Sequence, residues 1–248
     1  MQFAHVTNES DTAPVELHGA LATVRVTIDR SVGCQNLTQR VIRYREGRSA
    51  EKMLNEISEE VFYVLSGHGV ANVGGRDYEL LPDTAMLVPP GTPYVIDNTG
   101  PEELALLSVL APQPGQPVGE QVDAKPDPNR LVVDPNDEEP ISAGPARWFK
   151  LLIDPRYGCR NLTQFMGVID TSRAVDHTHT YEEVIYIIEG SGIVNAGGES
   201  YPIQRGSCVY LSPGTQHCLE NPNDEPLRLI GVFCPSGSPA AHQDVDTG

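Results

Sequence analysis

The chain has 248 residues, enough for one large or two small domains, and its 39% hydrophobic content excludes a wholly disordered polypeptide. Its 34 acidic residues outnumber 17 basic ones, and the formal charge of −17 repels phosphate backbones and anionic lipid surfaces, so neither nucleic acid nor a membrane is an expected partner. Only 6% of residues are aromatic while Gly (23) and Pro (21) are plentiful, which fits short strands joined by tight turns and an all-β fold better than a helical bundle.

In chain order, the opening MQFAHVTNESDTAPVEL has no basic start followed by an apolar stretch, and no later run approaches the length of a membrane span, so the expectation is a soluble, cytoplasmic protein. Both ends, including SGSPAAHQDVDTG, read as frayed. The segment from Ile28 to Gln39 (IDRSVGCQNLTQ) recurs from Ile153 to Gln164 (IDPRYGCRNLTQ), at an offset of 125. EEVFYVLSGHGVANVGG from Glu59 returns as EEVIYIIEGSGIVNAGG from Glu182, and the turn before Tyr94 returns before His217, both at an offset of 123. The first copy thus carries two extra residues between Gln39 and Glu59, which is where the copies diverge in chemistry.

Repeat one covers residues 22–112 and repeat two residues 147–236, each long enough for a small barrel. Between them, residues 113–146 are rich in Pro and acidic side chains and read as an extended linker lying over the surface. Within each repeat, β-branched runs such as VFYVL, AMLVP, VIYII and CVYL are separated by Gly- and Pro-containing turns. NVGG and NAGG are hairpin signals, because a two-residue turn needs the positive φ that Gly supplies. Short antiparallel strands of this kind hide their edges by closing into barrels or packing as jelly rolls.

The second repeat carries the chemistry. His177 and His179 stand at i and i+2 just before the strand-like run at Val184–Ile188, so on an extended chain both imidazoles share one face, and Glu183 keeps their parity. The third imidazole, His217, follows the turn Ser212–Gln216 on a separate strand. Three imidazoles and a carboxylate form a mixed N/O set for one divalent transition metal, with Fe, Mn, Ni, Zn, Co and Cu all compatible, and an octahedral ion so held keeps two positions for substrate. The five cysteines lack paired CxxC spacing and read as reduced thiols, and Cys218, beside His217, is assigned no catalytic role.

These residues resemble the cupin superfamily. Its first motif, HxH, three or four residues, Glu, six residues, Gly, is matched by His177, His179, Glu183 and Gly190. Its second motif is matched by Gly206, Gly214, His217 and Asn221, with Ser212 where the motif has Pro. The resemblance implies two tandem cupin barrels, each a double-stranded β-helix or jelly roll. It implies a metal only in the second, because Leu54, Glu56, Glu60 and Tyr94 stand opposite His177, His179, Glu183 and His217. A metal-free first barrel with a structural role is the expectation. Gln39 and Gln164, with Asn36 and Asn161, recur in both copies and read as strand geometry, although Gln164 is also a candidate donor facing the metal cavity.

A metal at the bottom of a pocket partly screened from water favours a small-molecule substrate that chelates through adjacent oxygens. With iron this implies a dioxygenase, in which Glu183 also accepts a substrate proton. With Mn, Ni or Zn it implies a non-oxidative lyase, decarboxylase or isomerase, and a small-ligand-binding cupin without turnover is a third reading. A homodimer is compatible with the family's habit of pairing sheets.

Overall fold

The computed structural model describes residues 3–17, 21–48, 53–113, 121–239 and 243–244. His18 and His242 lie outside these residues. Every strand pair is antiparallel, and among the described residues the only helical elements are short 3-10 turns. No helix is long and apolar enough to cross a membrane.

The strands form two barrels of matching plan. In the first, a seven-stranded sheet is ordered Val132–Val133, Ala85–Val88, Glu59–Ser66, Leu104–Ala111, Thr38–Tyr44, Ala22–Ile28 and Val15–Leu17. It is completed by a four-stranded sheet of Gly47–Arg48, Tyr94–Asn98, Gly69–Val73 and Arg76–Leu80. In the second, Ala4–Asn8, Ser207–Leu211, Glu182–Glu189, Leu227–Cys234, Thr163–Ile169, Arg147–Ile153 and Ile141–Ser142 form the long sheet. The smaller sheet is ordered Glu199–Gln204, Ser191–Ala196, His217–Asn221, His177–Thr178 and Gln243–Asp244, with Ser172–Arg173 also paired to His217–Asn221. The Gly pairs of NVGG and NAGG close the expected hairpins, at φ of 60° and 89° for Gly74 and Gly75 and 61° and 88° for Gly197 and Gly198.

Each long sheet borrows its outer strand from the segment that precedes the other barrel. Ala4–Asn8 lies along Ser207–Leu211 in the second barrel, and Val132–Val133 lies along Ala85–Val88 in the first. The N-terminus is therefore an ordered edge strand where fraying was expected, and the inter-repeat segment contributes strands as well as spanning the surface. The physical reason is the same at both places: an edge strand leaves a row of N–H and C=O groups that a passing extended segment satisfies.

The runs VFYVL and VIYII do not alternate polar and apolar residues because both of their faces are covered. Val61 to Val64 and Val184 to Ile187 are all buried. Alternate residues fill the barrel interior, where Ile185, Ile187, Phe165, Leu229 and Phe233 cluster, while Val184, Tyr186, Ile230 and Val232 pack with the first barrel. Two buried carboxylates interlock the barrels. Glu59 accepts hydrogen bonds from the backbone N–H of Arg160 (2.7 Å) and Asn161 (2.7 Å) and from Asn161 Nδ2 (2.8 Å). Reciprocally, Glu182 accepts from Gln35 N (2.7 Å), Asn36 N (2.8 Å) and Asn36 Nδ2 (3.0 Å). The repeated Gly-Cys-x-Asn loop of each copy thus caps the first Glu of the other copy's Glu-Glu pair.

Candidate metal centre

His177 and His217 are direct register partners on neighbouring strands of the smaller sheet, so their side chains leave it on one face. His179 follows two residues after His177, and one ligand nitrogen from each of the three rings lies within 4.8 Å of the others. Glu183 approaches from the long sheet across the barrel, its Oε2 3.7 Å from His179 Nε2 and 3.6 Å from His217 Nε2. The four residues singled out from the sequence therefore meet at one point between the two sheets.

The local chain explains why these nitrogens point inward. His217 Nδ1 donates to the Thr215 carbonyl (2.8 Å) and His177 Nδ1 to the Val175 carbonyl (2.9 Å), which leaves each ring presenting Nε2. Gly214, at φ 77°, turns the chain ahead of His217 and donates its N–H to the His179 carbonyl (2.7 Å), joining the two ligand segments. Ser212, where the cupin motif and the first repeat (Pro89) have Pro, has a use in this fold. Its N–H donates to the Phe3 carbonyl (3.1 Å) and its hydroxyl accepts from Phe3 N (2.9 Å), and a proline supplies neither group. The departure from the motif thus anchors the N-terminal strand.

Burial sets the electrostatics of the site. Glu183 Oε2 is buried without a hydrogen-bond partner, and burial pushes the carboxyl up to about 8. Burial, reinforced by the neighbouring His177, lowers His217 to about 4, so its imidazole is neutral. Three imidazoles and a buried carboxyl oxygen converging on one point make a mixed N/O donor set, so His177, His179, Glu183 and His217 fit a divalent metal ion. Tyr181 stacks on His179 (4.8 Å between ring centroids), Phe233 lies 5.4 Å from the same imidazole, and Phe165 stacks on Phe233. One wall of the centre is therefore aromatic and dry. His179 and His217 are buried, while His177 is half-buried.

Gln164 is not part of this cavity. It pairs in register with Val232, which stands opposite Val184, and both valines belong to the core shared with the first barrel, so the pleat turns Gln164 to the outer face. Cys218 is one residue from His217 and by the same alternation faces away. It is buried, and burial and the nearby Asp176 raise its thiol above the usual range, which keeps it protonated. All five cysteines are unpaired, as read from the sequence.

Among the described residues, the corresponding space of the first barrel holds no group of His, Cys, Asp and Glu that could hold a metal ion. Leu54 and Glu56 are exposed. Glu60 is fully buried and forms a salt bridge with Arg40, and it accepts hydrogen bonds from Ser108 Oγ (2.5 Å), Asn55 Nδ2 (2.6 Å) and Tyr94 OH (2.7 Å). Arg40 stands where the second copy has Phe165, and Ser108 where it has Gly231. Sequence reasoning missed Arg40, although its exchange for Phe between the copies was a readable signal. It also missed the role of Asn36 and Asn161, whose persistence in both copies, with or without metal ligands, pointed to a shared contact between barrels.

The Cupin domain family model matches residues 40–110 and 169–233, one segment in each barrel and together just over half of the chain. An uncharacterized protein of Methanocaldococcus jannaschii is 34% identical over 76 residues, which are 30% of this chain and 58% of the relative. The chain covers 56–58% of the length of each of the curated relatives found. Among solved structures, the E. coli protein Ylba superposes with a TM-score of 0.74 at 15% identity, over 98% of this chain and 93% of its own. Bacillus subtilis oxalate decarboxylase OxdC does so at 0.75 and 16% identity, over 97% and 79%.

Proposed function

Because this chain belongs to the cupin family through both of its barrels, we propose that it is a metal-dependent bicupin enzyme acting on a small oxygenated molecule, with dioxygenase chemistry as the first reading. The observation that carries the proposal is the convergence of His177, His179 and His217 on the unpartnered, buried carboxylate of Glu183. These four residues would hold the metal, which supplies Lewis acidity and, if it is iron, the capacity to activate O₂.

The remaining work belongs to the chain's own side chains. His177 is the least buried of the three imidazoles, and Tyr181, Phe233 and Phe165 pack as an aromatic wall beside His179. The tight aromatic packing favours a compact substrate. Glu183, set against His179 and His217, is also the group placed to accept a proton from a substrate hydroxyl. The Nδ1 donations from His177 and His217 to backbone carbonyls hold both rings in a fixed tautomer throughout.

Oxygen uptake that depends strictly on Fe(II) and on a substrate with two adjacent oxygen functions is the expected result. Elemental analysis should find about one metal per chain, lost in the His177→Ala, His179→Ala double variant. An unchanged metal content in that variant would overturn the assignment of the centre. The likeness of fold to a named oxalate decarboxylase over 97% of the chain favours a second reading, non-oxidative decarboxylase or lyase chemistry. Turnover with Mn, Ni or Zn that is unchanged without O₂ would select it over the first.

A further inference from the structure

The first barrel has a contact placed next to the candidate centre of the second. Glu182 and Glu183 are consecutive at the start of Glu182–Glu189, and the pleat sends their carboxylates to opposite faces, Glu183 into the barrel and Glu182 toward the first barrel. The Glu182 carboxylate is 2% exposed and takes the N–H groups of Gln35 and Asn36, the Asn36 side-chain amide (3.0 Å) and the Tyr210 hydroxyl (2.8 Å). Charge-assisted bonds of this kind, made in a buried place, are short and directional. They fix the backbone one residue away from Glu183, where the strand's own ladder is just beginning.

We infer that Glu182 and Asn36 are positioning residues for the metal centre: the first barrel's Gly33–Asn36 loop holds the strand end that aims Glu183 at His179 and His217. The inference rests on the metal reading proposed above. The fold supplies its own control, because Glu59 makes the mirror-image contact with Arg160 and Asn161, beside a residue, Glu60, that is tied to Arg40, Ser108, Asn55 and Tyr94. Breaking either contact loosens the same interface, but only one of the two contacts adjoins the metal site.

The test compares Glu182→Gln with Glu59→Gln in the full chain, reading thermal midpoint, Co(II) affinity by titration, and the visible d–d spectrum of the Co(II) form. Both variants should lower the thermal midpoint to a similar extent. Only Glu182→Gln should weaken Co(II), by roughly tenfold or more, and change the spectrum. Should Glu182→Gln fail to fold, Asn36→Ala against Asn161→Ala carries the comparison, since each removes one side-chain donor and leaves the backbone donors in place. Equal Co(II) affinity and identical spectra in the two members of a pair would overturn the inference and leave the metal reading intact. A wild-type chain that takes up no Co(II) would overturn both.

Discussion

The interiors of the two barrels answer one problem, a glutamate buried at the same place, in two ways. In the first barrel Glu60 is neutralised from within, by the Arg40 guanidinium and three neutral donors. In the second, the counterpart of Arg40 is Phe165 and the counterpart of Ser108 is Gly231, and Glu183 Oε2 faces the imidazoles of His179 and His217. The exchanges are coupled by volume. A Cβ on Gly231 would fall 2.2 Å from the Phe165 ring, so the aromatic wall of the candidate centre requires glycine there, whereas Ser108 faces an arginine that it can hydrogen-bond. Arg40 is thus a cation internal to the first barrel, and Phe165 takes its place in the second.

The largest expected effect comes from removing the internal cation. Arg40→Met leaves the Glu60 carboxylate buried and uncompensated, and should cost about 3–5 kcal/mol in denaturant unfolding, most of it restored by adding Glu60→Gln. Metal content should stay unchanged in both variants, and a loss of metal from Arg40→Met would break the separation between the barrels. Transplanting the first barrel's serine, Gly231→Ser, should cost about 1–3 kcal/mol by overpacking against Phe165. It should also disturb the Co(II) spectrum by moving Phe233 against His179; an unaltered spectrum would show that the wall does not support the centre. The smallest effect belongs to Ser212→Ala, which removes the hydroxyl that accepts Phe3 N and should cost about 0.5–1.5 kcal/mol. Hydrogen exchange should speed up at residues 4–8 in that variant, with little change at the matching turn around Pro89.

Much of this was legible from the chain because it turned on repetition and parity. The offset repeat announced two like units, the double glycines closed the hairpins they predicted, and the i, i+2 spacing of His177 and His179 placed two rings on one face of a strand. Gln164, read first as strand geometry, loses its alternative place facing the cavity for an identifiable reason. Its strand is buried on both faces, so burial and strand position alone do not say which face looks into the barrel, and only the register with Val232 and Val184 decides it. The first Glu of each Glu-Glu pair was likewise invisible as an interface residue, since its backbone partners in the other barrel lie 101 and 146 residues or more away in the chain.

The sequence by itself determined what local spacing and self-comparison encode: the all-β class, the duplication, the turns and the set of candidate ligands. Only the tertiary structure decided which barrel each extended segment serves, how Arg40 occupies the first interior, and that the loop of one barrel braces the ligand strand of the other. Those features depend on contacts between residues far apart in the chain. Edge pairing is backbone chemistry that any extended segment can supply, and buried charges take whichever donors the packing of two sheets brings within reach.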